Sequence, residues 1–144
     1  MEKKSYSRLI TDVDRSTVWR LCTNINAWKE WDFNFLQSEI TGAVQRGSVF
    51  KVKHRIFPAV KGYISTCNFE RELILAIPLP LGYIYRSYIF EMSGKSVKLS
   101  ITNSTAGLFS AVYHIAVKIL NSYTEEDLDI IARECTGNKP CITS

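Results

Sequence analysis

The sequence predicts an α+β protein in which a curved antiparallel sheet of six to seven strands wraps around one long C-terminal helix, with two short helices after the first strand. From about residue 35 to residue 102, apolar and polar residues alternate with a period of two, which is typical of half-buried strands. Short turns containing Pro and Gly separate these runs, so consecutive strands are expected to pair as a meander. From about residue 104 to residue 135 the helical period returns, and only this helix is long enough to cover the apolar face of the sheet.

The length and charge of the chain bound its class. Its 144 residues predict one domain, residues 1–136, followed by a flexible tail, residues 137–144. A chain of this length can bury a hydrophobic core without metals or disulfides. The net charge of +4 is mild and the basic residues are scattered, so no nucleic-acid partner is expected. The nearest approach to a basic row is Lys51, Lys53 and Arg55, which form either a solvated face or an attraction for an anionic ligand or surface.

The sequence of the first residues, the length of the apolar runs and the cysteine spacing argue against a secreted, a membrane-spanning or a metal-binding protein. The first residues contain no signal peptide, and no apolar run reaches the ~18 residues that a membrane span needs. We therefore expect a cytoplasmic protein without stable membrane insertion. Cys22 and Cys67 fall in apolar runs, whereas Cys135 and Cys141 flank a short loop that a disulfide could close. None of the four has metal-ligand spacing, so the sequence indicates no metal site and no cofactor.

The first part of the chain predicts one strand and two short helices. Residues 5–12 form the strand, and Asp14 or Ser16 can cap the helix that follows. The second short helix carries Trp28 and Trp31, which share a face because they lie three residues apart. Asp32 comes directly after this pair and can cap or orient the turn.

Parity predicts which side chains of the later strands point to the core. In the run 96–102, Val97, Leu99 and Ile101 point inward, while Lys98 and Ser100 point outward. Residues 63–69 and 71–77 are either two strands or one long strand with a bend near Glu70. In both cases the sheet presents one apolar face.

The last helix is expected to meet that face with its apolar stripe. Residues 121–124 allow either a continuous helix or a break, because Ser122 or Thr124 could cap a second segment. The carboxylates of the helix, among them Asp127, are interpreted as part of a solvated face. The predicted apolar stripe consists of Leu108, Val112, Ile115, Ala116, Ile119, Leu128 and Ile131.

Three stretches carry a resemblance to a known family: STVWRLCTNINAWKEWD, GSVFKV and VKLSITNSTAGLFS. With them the chain resembles the START-like (SRPBCC) superfamily, in particular its polyketide cyclase/dehydrase branch, with the helix-grip fold of the birch-pollen-allergen type. The resemblance covers roughly residues 5–135. It implies a cavity between the sheet and the C-terminal helix. Members of the family bind lipids, hormones or polyketides, a minority are enzymes, and the family has no universal catalytic motif.

Candidate cavity residues follow from parity and from this resemblance. The aromatic side chains among them either plug the core or form the wall of a ligand site. His54 is either a satisfied buried histidine or a catalytic base. Arg86 is either exposed, paired with Glu70 or Glu72, or available to an anionic ligand group. The full set of candidates is Trp28, Trp31, Phe35, Phe50, His54, Arg86, Tyr88, Phe90, Leu99 and Val112.

Two functions remain open on the sequence. The first is the binding or carrying of a small hydrophobic ligand, lipid-like or polyketide-like, in the cavity. The second is a polyketide cyclase or dehydratase that uses polar residues of the cavity. The chain contains no GxSxG stretch and no phosphate-binding loop, and no residue is assigned a catalytic role. A clustered pair of titratable groups with a perturbed pKa inside the pocket would favour the enzyme, and a pocket of only tyrosines and aliphatic residues would favour the carrier.

Overall fold

A computed structural model describes residues 4–107 and 110–137 of the chain, without the side chains of residues 110–112. The order of elements confirms the predicted fold class: a strand, short helices, six further strands and one long helix. The strands are β1 (Lys4–Thr11), β2 (Phe35–Ile40), β3 (Val49–His54), β4 (Val60–Asn68), β5 (Glu72–Leu79), β6 (Gly82–Ser93) and β7 (Ser96–Gly107). The helices are α1 (Arg15–Thr23), a single turn at Ile25–Ala27, α2 (Trp28–Trp31) and α3 (Ser110–Thr136).

All seven strands belong to one antiparallel sheet in the order β1-β7-β6-β5-β4-β3-β2. Strands β2 to β7 pair with their neighbours in the chain, as the short turns predict. The first strand pairs with the last one, so β1 and β2 form opposite edges of the sheet. The segment with α1 and α2 therefore connects the two edges, and α1 contacts both β6 and α3.

The segment around Glu70 is a tight turn between two strands. Glu70 has a φ of 59°, and the Arg71 N–H donates to the Asn68 carbonyl over 2.9 Å. The registers on either side place β4 and β5 as antiparallel neighbours. Of the two predicted alternatives, two strands is therefore the correct one.

The alternation predicted for β7 is confirmed. Val97, Leu99 and Ile101 are fully buried, whereas Lys98 is exposed. Ser100 lies on the outer face, where its hydroxyl is 2.8 Å from that of Ser7 on β1. The inward residues belong to one hydrophobic core that also receives side chains from α1 and α3.

Helix α3 is continuous through residues 121–124. The two hydroxyls that could have capped a second helix instead bond to the preceding turn. Ser122 donates to the Ile119 carbonyl over 2.6 Å, and Thr124 donates to the Leu120 carbonyl over 2.9 Å. This back-bonding satisfies the hydroxyls without interrupting the helix. No helix in the described part of the chain is both long and apolar enough to cross a membrane.

The predicted inward face of α3 is wrong at Ile115 and Ile119, whereas Ala116 is half-buried and Leu128 and Ile131 are buried, as predicted. Ile115 is 67% exposed and Ile119 is 39% exposed, while Val117 is buried. The polar side chains of Thr124 and Asp127 account for the rotation, because both are buried and hydrogen-bonded to the sheet. They turn one face of the helix inward and leave the other face to solvent. Leu108 and Val112 lie outside the described side chains.

Strands β3, β4 and β5 approach each other closely at Gly62. A Cβ at this position would lie 2.6 Å from the Ala76 carbonyl oxygen and 2.6 Å from Cζ of Phe50. We expect Gly62→Ala to destabilise the protein by about 1–3 kcal/mol, because the Phe50 ring and the strand ladder must both shift. Chemical denaturation would measure the change, with exposed Lys61→Ala as a control within about 0.5 kcal/mol of wild type. Equal stability of the two variants would contradict the close approach.

Candidate functional site

A cavity of about 270 Å³ lies between the inner face of the sheet and the first half of α3. Strands β3 to β6 form one side of it, and α3 contributes Tyr113, Ala116 and Leu120. The remaining lining comes from α2, the start of β2 and the loop after β3. Apart from His54 and Arg86, its walls are aliphatic and aromatic: Trp28, Phe35, Phe50, Val52, Phe57, Pro58, Val60, Leu75, Ile77, Leu79, Ile84, Tyr88, Tyr113, Ala116 and Leu120.

The aromatic stretch at residues 28–35 divides between wall and surface. The Trp28 and Phe35 rings are 5.2 Å apart and line the cavity. The Trp28 indole donates through Nε1 to the Cys22 carbonyl over 3.1 Å, so its polar edge is satisfied within the fold. Phe33, in contrast, is 59% exposed and lies under the guanidinium of Arg55. The cluster therefore supplies both the end of the cavity and part of the outer surface.

Trp31 lies behind this wall. It lines a second, much smaller space of about 10 Å³, called the annex below, together with Asp32, Asp127 and Arg86. The indole Nε1 of Trp31 is buried and has no hydrogen-bond partner among the described residues. Trp31 was predicted to line the main cavity, but it lines the annex instead.

The loop after β3 closes one side of the cavity and is held by two of the three residues in the basic row. Lys53 donates through Nζ to the carbonyls of His54 and Phe57, over 2.8 and 2.6 Å. Arg55 donates through Nε to Oδ1 of Asn34 over 2.7 Å. Lys51 and Arg55 are nevertheless exposed, so the interpretation of this row as a solvated face fails only for Lys53, which is half-buried.

His54 places a polar group in the mostly apolar wall. The side chain is buried, and its ring meets Phe35, Phe57 and Tyr123 edge-on. Burial lowers the pKa of His54, which favours the neutral ring. Nδ1 accepts from the Ile56 N–H over 3.3 Å, so the proton of the neutral ring resides on Nε2. That Nε2 is buried without a partner among the described residues and is therefore a free donor at the cavity.

Arg86 is buried and paired with Asp127. The sequence-based alternatives of an exposed Arg86 and of a pair with Glu70 or Glu72 are therefore wrong. Its Nη2 donates to Oδ2 of Asp127 on α3 over 2.8 Å. The side chains of the two residues are only 12% and 5% exposed. The guanidinium also lies 5.6 Å from the centre of the Tyr88 ring on the same strand. Arg86 thus lines the cavity with its charge already balanced by α3.

The prediction that Asp127 belongs to a solvated face is also wrong. A fully buried amide, Asn34, donates through Nδ2 to Oδ1 of Asp127 over 3.1 Å. Since Asn34 also accepts from Arg55, a continuous polar chain runs from Arg55 through Asn34 and Asp127 to Arg86. Helical spacing could not show that this one carboxylate faces inward, because its partners lie about 40 and 90 residues away in the chain.

Asp32 is a second buried carboxyl beside this chain, and it was expected only to cap or orient a turn. It does accept the Asn34 N–H through Oδ1 over 2.9 Å, which orients the turn before β2. Burial, reinforced by the nearby charge of Asp127, raises its pKa to about 7. The carboxyl is thus poised to exchange a proton near neutral pH. The sequence signal for this was a carboxylate inside an aromatic run.

Besides Trp31, two further candidates do not line the cavity. Phe90 packs edge-on against Trp19 of α1, with ring centres 5.2 Å apart, and Leu99 is fully buried in the core. Both point to the predicted face, but they lie toward the end of the sheet that α1 covers. Parity determines the face of a sheet, whereas the position of a cavity along the strands depends on the covering helices. Val112 lies outside the described side chains.

The remaining candidates come together at the cavity. Trp28, Phe35, Phe50, His54, Arg86 and Tyr88 all line it, although they come from three strands and a short helix. Their role in ligand binding stays a prediction. Among the described residues, no group of three or more His, Cys, Asp or Glu side chains is arranged to hold a metal ion.

Comparison with known proteins identifies the fold but no sequence relative. No protein-family model matches the chain, and no curated protein sequence matches it. A START superfamily protein from Mycobacterium smegmatis superposes with a TM-score of 0.74 at 7% identity, over 95% of this chain and 99% of that one. Norcoclaurine synthase from Thalictrum flavum, in complex with dopamine and hydroxybenzaldehyde, superposes with a TM-score of 0.69 at 15% identity, over 96% and 89% of the two chains.

An aromatase/cyclase is similar in the same way. The di-domain ARO/CYC StfQ of the steffimycin biosynthetic pathway gives a TM-score of 0.69 at 10% identity, over 92% of this chain and 49% of that one. At such identities the likeness extends to the fold alone. The chain has the START-like helix-grip fold, as the resemblance in its sequence implied.

Proposed function

We propose that the protein binds or carries a small hydrophobic ligand, lipid-like or polyketide-like, in the cavity between the sheet and α3. One observation carries the proposal: a cavity of about 270 Å³ with almost entirely apolar walls contains the buried, unpartnered Nε2–H of His54. Small-molecule sites typically combine an apolar wall for affinity with a few polar groups that orient the ligand. His54 is positioned to be such a group.

The polar groups of the cavity wall indicate what the ligand must offer. The neutral His54 ring presents a donor, and Arg86 has donors only. Burial raises the pKa of Tyr88 well above its ordinary value, so the phenol stays protonated and can donate as well. A ligand that satisfies these groups carries an acceptor, such as a carbonyl oxygen, on an otherwise apolar body.

A second candidate function is a cyclase or dehydratase acting on a polyketide-like substrate. The observation that favours it is the raised pKa of Asp32, about 7. The Asp32 carboxyl lies close to the buried Arg86 and Asp127. Titratable groups with perturbed pKa values concentrate at catalytic sites, but buried structural networks produce them as well. Asp32 lines the annex and not the main cavity, so binding without chemistry is the better-supported function.

Filling the cavity tests the proposal. We expect small apolar probes to stabilise the wild-type protein, by about 2.7 kcal/mol at a hundred times the dissociation constant. Ala116 lines the cavity, so Ala116→Trp should fold and lose this stabilisation. The neighbouring Ile115→Trp is a matched control, because Ile115 is 67% exposed and its replacement should retain the stabilisation. Thermal unfolding with and without the probe measures both.

An overpacking variant in the core and native mass spectrometry complement this test. Leu99→Trp should overpack the core and cost about 1–3 kcal/mol, since Leu99 is fully buried away from the cavity. Native mass spectrometry of the purified protein should show a bound hydrophobic molecule, and its conversion on incubation would favour the enzyme. Identical probe-induced shifts in wild type and Ala116→Trp would refute binding in this cavity.

The expectations of a single domain over residues 1–136, a cytoplasmic location and no nucleic-acid partner remain predictions. They are compatible with a carrier of small hydrophobic molecules.

A further inference from the structure

The annex behind the cavity wall is about the size of one water molecule. Its volume of about 10 Å³ is close to the minimum of about 10–15 Å³ that one water molecule requires. It shares Trp28, Phe35, Arg86 and Tyr88 with the main cavity, so these side chains border both spaces. The annex differs from the cavity in its chemistry, because two carboxyl groups and an indole N–H belong to its lining.

Two buried donors in this lining have no partner among the described residues. They are Nε1 of Trp31 and Nε of Arg86. Arg86 donates to Asp127 through Nη2, and this hydrogen bond does not involve Nε. Buried N–H groups in folded proteins are nearly always hydrogen-bonded, to protein or to ordered water. Both residues line the same small space, so one acceptor placed there can serve both of them.

The two carboxyl groups of the lining are occupied to different degrees. Asp127 uses Oδ1 for Asn34 and Oδ2 for Arg86. Asp32 uses Oδ1 for the Asn34 N–H, so Oδ2 is the oxygen of this carboxyl that can bond to a group in the annex. Asp32 is only 3% exposed, so bulk solvent has little access to it.

We propose that the annex binds one neutral oxygen, from a water molecule or from a ligand hydroxyl, which accepts hydrogen bonds from Trp31 and Arg86 and donates one to Asp32. A hydroxyl or water oxygen has the two lone pairs and the O–H donor that these three groups require. An anion is disfavoured because the site already holds two carboxyl groups against a single arginine. A cation is disfavoured because two N–H donors face it.

The ligand-hydroxyl form of this site rests on the proposed binding function, whereas the water form does not. If the hydroxyl of a cavity ligand enters the annex past Trp28 and Tyr88, the preferred ligand is amphipathic: an apolar body that ends in an alcohol or a phenol. The water form predicts an ordered molecule in the same place without any ligand.

Crystal structures of the full chain test the site directly, alone and after soaking with naphthol. In wild type we expect one peak of density within about 2.7–3.2 Å of Trp31 Nε1 and of Arg86 Nε. In Trp31→Phe, which removes one donor, this peak should be weaker or lost. Absence of an oxygen from the annex in both wild-type crystals would overturn the proposal.

Paired probes then distinguish the source of the oxygen. Naphthol and naphthalene differ by one hydroxyl, and their dissociation constants would be measured for wild type and Trp31→Phe. If the ligand supplies the oxygen, naphthol should bind wild type about tenfold more tightly, and Trp31→Phe should lose that preference. If water supplies it, the substitution should leave the ratio unchanged while the peak is present in the ligand-free crystal. Phe33→Leu, at an exposed aromatic of the same segment, is the control that should keep the wild-type ratio.

These measurements separate failure of the annex from failure of the proposed function. If neither probe binds wild type but the peak is present, cavity binding is refuted and the water site stands. If both probes bind and the annex contains no oxygen, the binding function stands and the annex proposal is refuted.

Discussion

Arg86→Met is expected to destabilise the protein by about 3–5 kcal/mol, because it leaves the buried carboxylate of Asp127 without its counter-charge. The guanidinium and carboxylate are 2.8 Å apart, and neither side chain has more than 12% of its surface exposed. Methionine fills a similar volume, so lost packing should contribute little. The free energy of unfolding in denaturant at pH 7 measures the effect.

Two controls show whether the loss comes from the uncompensated charge. The double variant Arg86→Met, Asp127→Leu removes both charges and should recover much of the stability, since apolar replacements of buried ion pairs are often neutral. Arg8→Met removes an ion pair with Asp129 whose side chains are 44% and 48% exposed, so it should cost less than about 1 kcal/mol. A loss in Arg86→Met no larger than in Arg8→Met would contradict a buried ion pair.

Asp32→Asn is expected to make the protein more stable than wild type above pH 7. In the folded protein the pKa of Asp32 is raised to about 7, from an ordinary value of 3.8. The folded state therefore holds this proton more tightly than the unfolded state. Protonation of Asp32 therefore stabilises the folded protein. This stabilisation is complete below about pH 4 and is lost as pH rises through 7. One pKa unit corresponds to about 1.4 kcal/mol, so ionised Asp32 costs the fold on the order of 4 kcal/mol at high pH.

The amide of asparagine reproduces the neutral form of the carboxyl at every pH. It can still accept the Asn34 N–H, and it cannot ionise. The difference in unfolding free energy between variant and wild type should therefore grow from pH 5 to pH 8.5. Glu91→Gln, at an exposed position of β6, should show no such trend. A difference between Asp32→Asn and wild type that stays constant over this range would mean that Asp32 does not titrate there.

Local patterns predicted most of the elements. In β7, for example, each apolar residue points to the core because side chains alternate along a strand, and Val97, Leu99 and Ile101 needed no other information. The same holds for the turns that contain Pro or Gly, such as those at Pro58 and Gly94, and for the helix pair that carries Trp28. These features depend on residues a few positions apart, so a single sequence contains their cause.

The candidate site was predicted in part, for a related reason. Parity placed Phe50, His54 and Tyr88 on the inner face, and all three line the cavity. Parity also placed Phe90 and Leu99 there, yet α1 and the second half of α3 fill the space above them. Which section of an inner face stays open depends on the path of the covering helices, and strand periodicity contains nothing about that path.

The sequence by itself determined the strands, the helices and the inner face of the sheet, because each follows from the spacing of apolar residues along the chain. Only the tertiary structure decided the rotation of α3, the position of the cavity and the environment of Asp32. Ile115 and Ile119 are as apolar as the residues that α3 buries, so its wide stripe allows more than one rotation. The inward rotation is the one that pairs Asp127 with Arg86 and Thr124 with Asn103, since these polar groups must be satisfied once they are buried.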